Sequence, residues 1–166
     1  VILPAGLKQG ANRRKKGEDI EQGSVILKAG QRLRPQELGL AASVGFQELN
    51  VMGTLRVAVF STGDEVCDPS DQAPEGSIFD ANRYSVMSML EGMSCHVTDL
   101  GILPDDEETI AVAIGGAAKD HHVIVTSGGV SAGEEDHVKA AVERHGSVDF
   151  WRLAIKPGRP IALGRI

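Results

Sequence analysis

Aromatic residues are scarce: one tryptophan, one tyrosine and four phenylalanines in 166 residues. So few rings offer little for bases to stack on, which argues against a single-stranded nucleic-acid binder. The core must then be aliphatic, and a 42% hydrophobic composition allows that. Cysteine is nearly as rare. Cys67 and Cys95 alone can neither build a disulfide framework nor supply a zinc-finger spacing. No apolar run approaches the ~20 residues of a bilayer span, and no secretory leader opens the chain. The five histidines, His96, His121, His122, His137 and His145, show no zinc-ligand spacing and read as structural. A Walker loop and a GxGxxG fingerprint are both missing, and no serine or cysteine nucleophile stands beside a paired base. These absences leave a soluble, cytoplasmic globular chain as the expectation, with neither nucleic acid nor membrane as partner.

Charge is present but unevenly spread. Eight basic residues face three acidic ones up to Arg34, whereas from Pro35 onward nine face twenty. Such asymmetry suggests two units. The basic run Arg13-Arg14-Lys15-Lys16 is followed at once by Gly17-Glu18-Asp19, which fits a solvated loop or an anion contact better than a nucleic-acid patch. The opening Val-Ile-Leu-Pro and the closing Arg165-Ile166 give the chain the look of a piece cut at both ends, so a site built from it is expected to be incomplete.

Glycine is abundant, at twenty residues, and follows no repeat. In the first fifty residues the apolar runs Ser24–Gly30 and Leu49–Met52 read as strands, and Arg34-Pro35 opens a helix, Gln36 to Val44, that stops at Gly45. Gly53-Thr54 is the expected boundary. Beyond it the rhythm is strand, loop, helix. Strands are expected at Arg56–Phe60, Cys95–Ile102, His122–Thr126 (a continuous apolar run typical of a central parallel strand), Phe150–Ile155 and Pro160–Leu163. Between them, Asn82 caps a helix burying Val86, Met89, Leu90 and Met93. Asp105 with Glu108 makes a capping box for a helix containing Gly115-Gly116, and Asp136 caps a helix with Val138, Ala141, Val142 and His145 on one stripe. The alternation implies an open, mostly parallel sheet covered by helices.

Four segments that follow the expected strands are chemically loaded: Ser61–Glu65, Gly101–Asp106, Thr126–Asp136 and Lys156–Pro160. In open α/β sheets ligands bind outside the carboxyl ends of the strands. Ser127-Gly128-Gly129-Val130-Ser131-Ala132-Gly133 offers backbone N–H groups and hydroxyls to an anion, or is simply a glycine-rich turn. Glu134, Glu135 and Asp136 beside it would repel an anion unless a cation intervenes. Together with Asp64, Glu65 and Asp105 they suit Mg²⁺, which binds through one or two carboxylates and keeps its waters. Arg152, Lys156, Arg159 and Arg165, with no acid among them, form a cationic wall for an anionic substrate or a solvated basic turn.

With these loops in order, Arg14–Ile20 (RKKGEDI), Ser61–Glu65 (STGDE), Ile78–Asn82 (IFDAN), Ser127–Asp136 (SGGVSAGEED) and Lys156–Pro160 (KPGRP) resemble the molybdopterin molybdotransferase family, which includes the E domain of gephyrin. The match covers nearly the whole chain. Related adenylyltransferases and the competence-damage-like domain share the fold but usually lack the GVSxGxxD form and the KPGKP-like turn. The resemblance implies a three-layer α/β/α molybdopterin-binding domain with a mostly parallel sheet over 54–166, truncated at its C-terminal end, preceded over 1–53 by part of a small β-rich domain. It implies a homodimer that hydrolyses adenylylated molybdopterin, releases AMP and transfers molybdate to the dithiolene sulfurs with Mg²⁺. By motif position Glu65, Asp105 and Asp136 would be the catalytic and metal-binding acids and Lys156 the catalytic cation. Thr62, Gly63, Asp64, Ser127, Gly128, Gly129, Ser131, Gly133, Arg152, Pro157, Gly158 and Arg159 would bind the pterin substrate. Arg152 and Arg159 stand where many members have lysine, which keeps the charge but changes hydrogen-bond geometry. The family's first domain, its GLPGNP-like loop and its last β domain have no counterpart here, so the chain alone is expected to be inactive. Two other readings are a pocket-bearing scaffold module without turnover and an adenylyltransferase or pyrophosphatase of the same fold.

Overall fold

In a computed structural model of the chain, residues 5, 6, 8–69, 72–129, 137–152, 154 and 160–166 are described, with the side chains of 149–152 and 160 outside that description. The chain divides into two compact units, Val1–Val51 and Met52–Ile166.

The first unit holds one regular element among the described residues, helix α1 (Pro35–Ser43). Proline stands at its first position, where the missing N–H has no helical partner to lose. The Glu37 carboxylate accepts from the Arg34 backbone N–H at 2.9 Å and from its guanidinium at 2.6 Å. Those bonds hold the Glu37 carboxyl down at about 2. Gly45, at φ 93°, ends the helix. The expected strands at Ser24–Gly30 and Leu49–Met52 do not form: these segments are irregular, because an apolar run becomes a strand only with a hydrogen-bonded neighbour and none among the described residues pairs with them. Arg14 pairs with Asp19 at 3.1 Å, both well exposed, and the Lys15 N–H bonds the Glu18 carboxylate.

The second unit is built around strand β1 (Arg56–Thr62), buried from Val57 to Thr62. It pairs in parallel with β4 (His96–Leu103) on one side and β5 (Val123–Ser127) on the other, giving the order β4-β1-β5. The apolar run of β5 therefore lies at the sheet edge among the described residues rather than at its centre, and β1, buried on both faces, is the central strand. Short β2 (Val66–Cys67) and β3 (Ile78–Phe79) form a second parallel pair, and β6 (Ser147–Arg152) and β7 (Pro160–Arg165) an antiparallel one. The architecture is α/β and mostly parallel, as expected.

Helices α2 (Ala81–Gly92), α3 (Glu107–Ala117) and α4 (His137–His145) cover the sheet. Phe60 packs with Ile110, Ala111, Ile114, Val138 and Ala141 into one core cluster, each large side chain contributing about 1.5–3 kcal/mol of transfer free energy. Of the Gly115-Gly116 pair, costly in a helix, packing explains Gly115 alone; a Cβ on Gly116 would meet nothing within 4 Å. A Cβ on Gly115 would come within 2.8 Å of the His145 ring, whose Nε2 bonds the Ala111 carbonyl at 2.9 Å.

Helix α2 corrects two expectations. Its cap is Asp80, not Asn82: the Asp80 carboxylate accepts from the Arg83 N–H at 3.1 Å, while Asn82 lies exposed in the first turn. Met89 and Met93 are 58% and 65% exposed, because the face turned to the sheet runs through Arg83, Val86, Met87 and Leu90. That stripe has the same helical spacing, rotated away from the two methionines. Helix α3 corrects a third. Its cap is Asp106, which accepts from the N–H groups of Glu108 and Thr109 at 3.2 and 3.1 Å, after a tight turn in which Asp106 N–H bonds the Pro104 carbonyl. Asp105 is left out of the cap.

Candidate active site at the carboxyl edge of the sheet

The parallel register aligns the strand ends. Thr62 of β1 stands beside Leu103 of β4, and Ser61 beside Ser127 of β5. The turns carrying Gly63-Asp64-Glu65, Pro104-Asp105-Asp106 and Gly128-Gly129 therefore leave the sheet together at its carboxyl edge. Helices α3 and α4 start nearby, and hydrogen bonding at Thr109 holds the Asp106 carboxyl below its usual range.

Thr62 links the three turns. Its hydroxyl donates to Asp105 Oδ1 across a long 3.3 Å. Its backbone carbonyl lies where a Cβ on Gly128 would fall, and its methyl, with Val138, fills the space beside Gly129. Both glycines have positive φ, 96° and 67°, so at these two positions the chain needs glycine twice over: for conformation and for close approach. Across the edge Glu65 folds back, its Oε2 3.0 Å from the position of a Cβ on Gly63.

The acids here have few partners. Among the described residues Glu65 takes part in no side-chain hydrogen bond or ion pair, and Asp105 accepts only from Thr62. Glu65 and Asp64 are exposed and Asp105 half-buried. No group of three or more His, Cys, Asp or Glu side chains among the described residues could hold a metal alone. The described acids suit instead Mg²⁺ held by one or two carboxylates with substrate phosphate and water. Glu65 and Asp105, oxygen donors from adjacent strand ends, fit that arrangement.

Asp136, Ser131, Gly133, Lys156, Pro157, Gly158 and Arg159 lie outside the described residues, as does the Arg152 side chain. Three of the five histidines, His121, His122 and His145, are tied into the scaffold. His121 bonds Ala117 O at 2.9 Å and Thr98 Oγ1 at 2.8 Å, and His122 Nδ1 accepts from the Arg56 N–H at 3.0 Å.

A cleft of about 690 Å³ opens elsewhere, beside β5, α4 and β7, lined by Val125, Val142, Val148 and Leu163 among others. Its described lining contains no carboxylate and none of the strand-end turns. Chemistry on an anion needs polar groups that converge, and those converge at the carboxyl edge.

One polar cluster was missed in the sequence. Arg83, 2% exposed, reaches three carboxylates: Asp80 at 2.9 Å, Asp68 at 2.5 Å and Asp99. Burial opposes its charge, yet the hydrogen bonds it donates to Asp80 and Asp99 raise its pKa. Burial likewise disfavours the Asp80 anion, but the Arg83 N–H and guanidinium hold its carboxyl below the ordinary range. The available signal was an acid and a base three residues apart at a helix start.

No helix among the described residues is long and apolar enough to cross a membrane. A family described as "Probable molybdopterin binding domain" matches residues 58–166, and one described as "MoeA N-terminal region (domain I and II)" matches residues 2–45. The chain is 43% identical over 159 residues to a molybdopterin molybdenumtransferase of Haemophilus influenzae, covering 96% of this chain and 39% of that protein. It is 33% identical over 178 residues to gephyrin of Dictyostelium discoideum, covering all of this chain and 25% of that one. Among solved structures, a molybdopterin biosynthesis MoeA protein from Pyrococcus horikosii superposes with a TM-score of 0.72 at 31% identity, covering 90% of this chain and 37% of that one. The chain thus spans about two fifths or less of the relatives named here. A parallel α/β sheet, its strand-end turns and matches along most of its length agree: this chain belongs to the molybdopterin molybdenumtransferase family and carries its molybdopterin-binding domain.

Proposed function

We propose that the chain is the pterin-binding part of an enzyme of molybdenum cofactor biosynthesis, one that inserts molybdate into adenylylated molybdopterin and releases AMP. The observation that carries this reading is the meeting of three strand-end turns at one sheet edge. Two supply weakly partnered acids, Glu65 and Asp105, and the third the close-packed Gly128-Gly129.

In this reading the N–H groups of the Ser127–Gly133 segment and the hydroxyls of Ser127 and Ser131 receive the phosphate or pterin oxygens. Gly63 and Asp64 line the same edge. Thr62 holds the Asp105 carboxylate in place through its hydroxyl. Glu65, Asp105 and Asp136 would hold Mg²⁺, which when bound neutralises charge on the phosphoryl group leaving with AMP. By motif position Lys156 would supply the catalytic cation, and Arg152 and Arg159 would add anion contacts. A homodimer in the cytoplasm belongs to the same proposal, carried by the family resemblance.

The test supplies the full-length protein with adenylylated molybdopterin and Mg²⁺, with and without molybdate. AMP release and molybdenum loading only when molybdate is present support the reading. In a parallel reaction given ATP and molybdopterin, ATP consumption or pyrophosphate release without molybdate would assign an adenylyltransferase or pyrophosphatase. Pterin binding without turnover would leave a scaffold module.

A further inference from the structure

We propose that Arg83 is a positioning residue for Glu65: its guanidinium fixes the segment that carries this acid at the sheet edge. The inference rests on the reading of Glu65 as a site acid. Glu65 has no side-chain partner of its own among the described residues, so the place of its carboxylate is set by its backbone. That backbone is held on both sides. Val66 N–H closes the turn onto the Gly63 carbonyl at 3.0 Å, and Ile78 N–H bonds the Glu65 carbonyl itself at 2.8 Å. Asp80 N–H then bonds the Cys67 carbonyl at 2.9 Å, continuing the β2–β3 ladder to the start of α2.

Arg83 locks that ladder to the sheet. Three of its nitrogens go to three carboxylates on three different elements. Nε bonds Asp80, the α2 cap, at 2.9 Å. Nη2 bonds Asp68, directly after β2 and three residues from Glu65, at 2.5 Å. Nη1 bonds Asp99 on β4, where an extra residue in the strand between Asp99 and Ile102 breaks the register with β1. Tyr84 adds a bond from its hydroxyl to Asp68 at 3.2 Å, with its ring 5.0 Å from the guanidinium. A planar fork with five donors can serve three directions at once, whereas a lysine ammonium is a single point charge on a flexible stem. Among the described residues Arg83 touches no candidate site acid, so its influence on chemistry would pass through the position of Glu65.

The test is a double-mutant cycle in the full-length protein, using Arg83→Lys, Glu65→Gln and both together. Turnover is read with adenylylated molybdopterin and molybdate, and metal affinity separately by Mn²⁺ titration followed by electron paramagnetic resonance. A misplacement on the 1 Å scale costs about 10²-fold, so Arg83→Lys should lower kcat about 10- to 100-fold and weaken Mn²⁺ binding, with little change in KM for the pterin. In the Glu65→Gln background the same lysine should lower kcat by no more than about twofold, because the acid it positions is gone. Factors that simply multiply would make Arg83 a structural residue only and overturn the inference. If Glu65→Gln alone leaves turnover and Mn²⁺ binding intact, it is the assignment of Glu65 that fails. Should Arg83→Lys not fold, Asp68→Asn, which weakens only the arm after β2, replaces it in the same cycle with the same two outcomes.

Discussion

Two sets of carboxylates flank the central strand, and their surroundings differ sharply. Asp68, Asp80 and Asp99 converge on one buried guanidinium, and their charge is consumed in holding α2 and the β2–β3 pair against the sheet. Among the described residues Glu65 and Asp105, at the carboxyl edge, share a single long hydrogen bond from Thr62 between them. The acid residues are chemically alike; what separates a fastening from a candidate site is whether a cation of the protein already occupies them. Stability should reside in the first set and chemistry in the second.

The harshest way to break that contrast is Arg83→Met. It leaves Asp80, 4% exposed, as a buried unpaired anion. Removing one partner of a buried pair costs about 3–5 kcal/mol, which in a chain of this size lowers Tm by roughly 10 °C. Thermal unfolding checks it, and a loss below about 1 kcal/mol would show that the cluster fastens nothing.

Next in size is Gly128→Ala. A Cβ there meets the Thr62 carbonyl, and φ is already 96°. Left-handed strain of about 1–2 kcal/mol and overpacking of about 1–3 kcal/mol give a loss of roughly 3 kcal/mol. The counterpart is Gly116→Ala in α3, where a Cβ meets nothing within 4 Å. It should stabilise by up to ~1 kcal/mol. Denaturant midpoints for the two variants should move in opposite directions.

A smaller effect appears in pH. Asp80 titrates below its usual range in the folded chain. Its contribution to stability is therefore fully present above the ordinary aspartate pKa of about 3.9 and is lost as pH falls through the depressed folded value. Asp80→Asn keeps a capping oxygen but loses the charge, at a cost of about 2 kcal/mol near neutrality. The gap between the two proteins should be constant from pH 6 to 8, as an order-of-magnitude window, and close below about pH 4. A gap that instead widens on acidification would contradict the assignment.

Much of this was readable in the residues. The strands β1, β4 and β5 followed from apolar runs ended by Gly, Ser or Pro, and the convergence of their turns followed from a parallel sheet. Gly128 and Gly129 read as an anion loop or a glycine-rich turn; their close packing against Thr62 depends on a strand distant in sequence. The helix caps were misassigned by one or two positions at Asn82 and Asp105, because Ser, Asp and Asn cap comparably and only the turn geometry chooses among them. That error mattered, since it gave Asp105 a structural task that Asp106 performs. The Arg83 cluster was not readable: Asp68, Asp80 and Asp99 come together only once β2, α2 and β4 are folded. Nor could the unpaired Ser24–Gly30 run be distinguished from a strand, because its pairing depends on residues distant in sequence.

The most direct measurement is molybdate-dependent turnover alongside thermal unfolding for Glu65→Gln and Asp105→Asn in the full-length protein. Because neither acid fastens the fold, Tm should shift by less than the equivalent of about 0.5 kcal/mol. Turnover should fall by about 10²-fold or more, the loss expected when a group stabilising transition-state charge is removed. Turnover within twofold of the unsubstituted protein, or a fall in Tm matching that of Arg83→Met, would contradict the division of labour between the two sets of carboxylates.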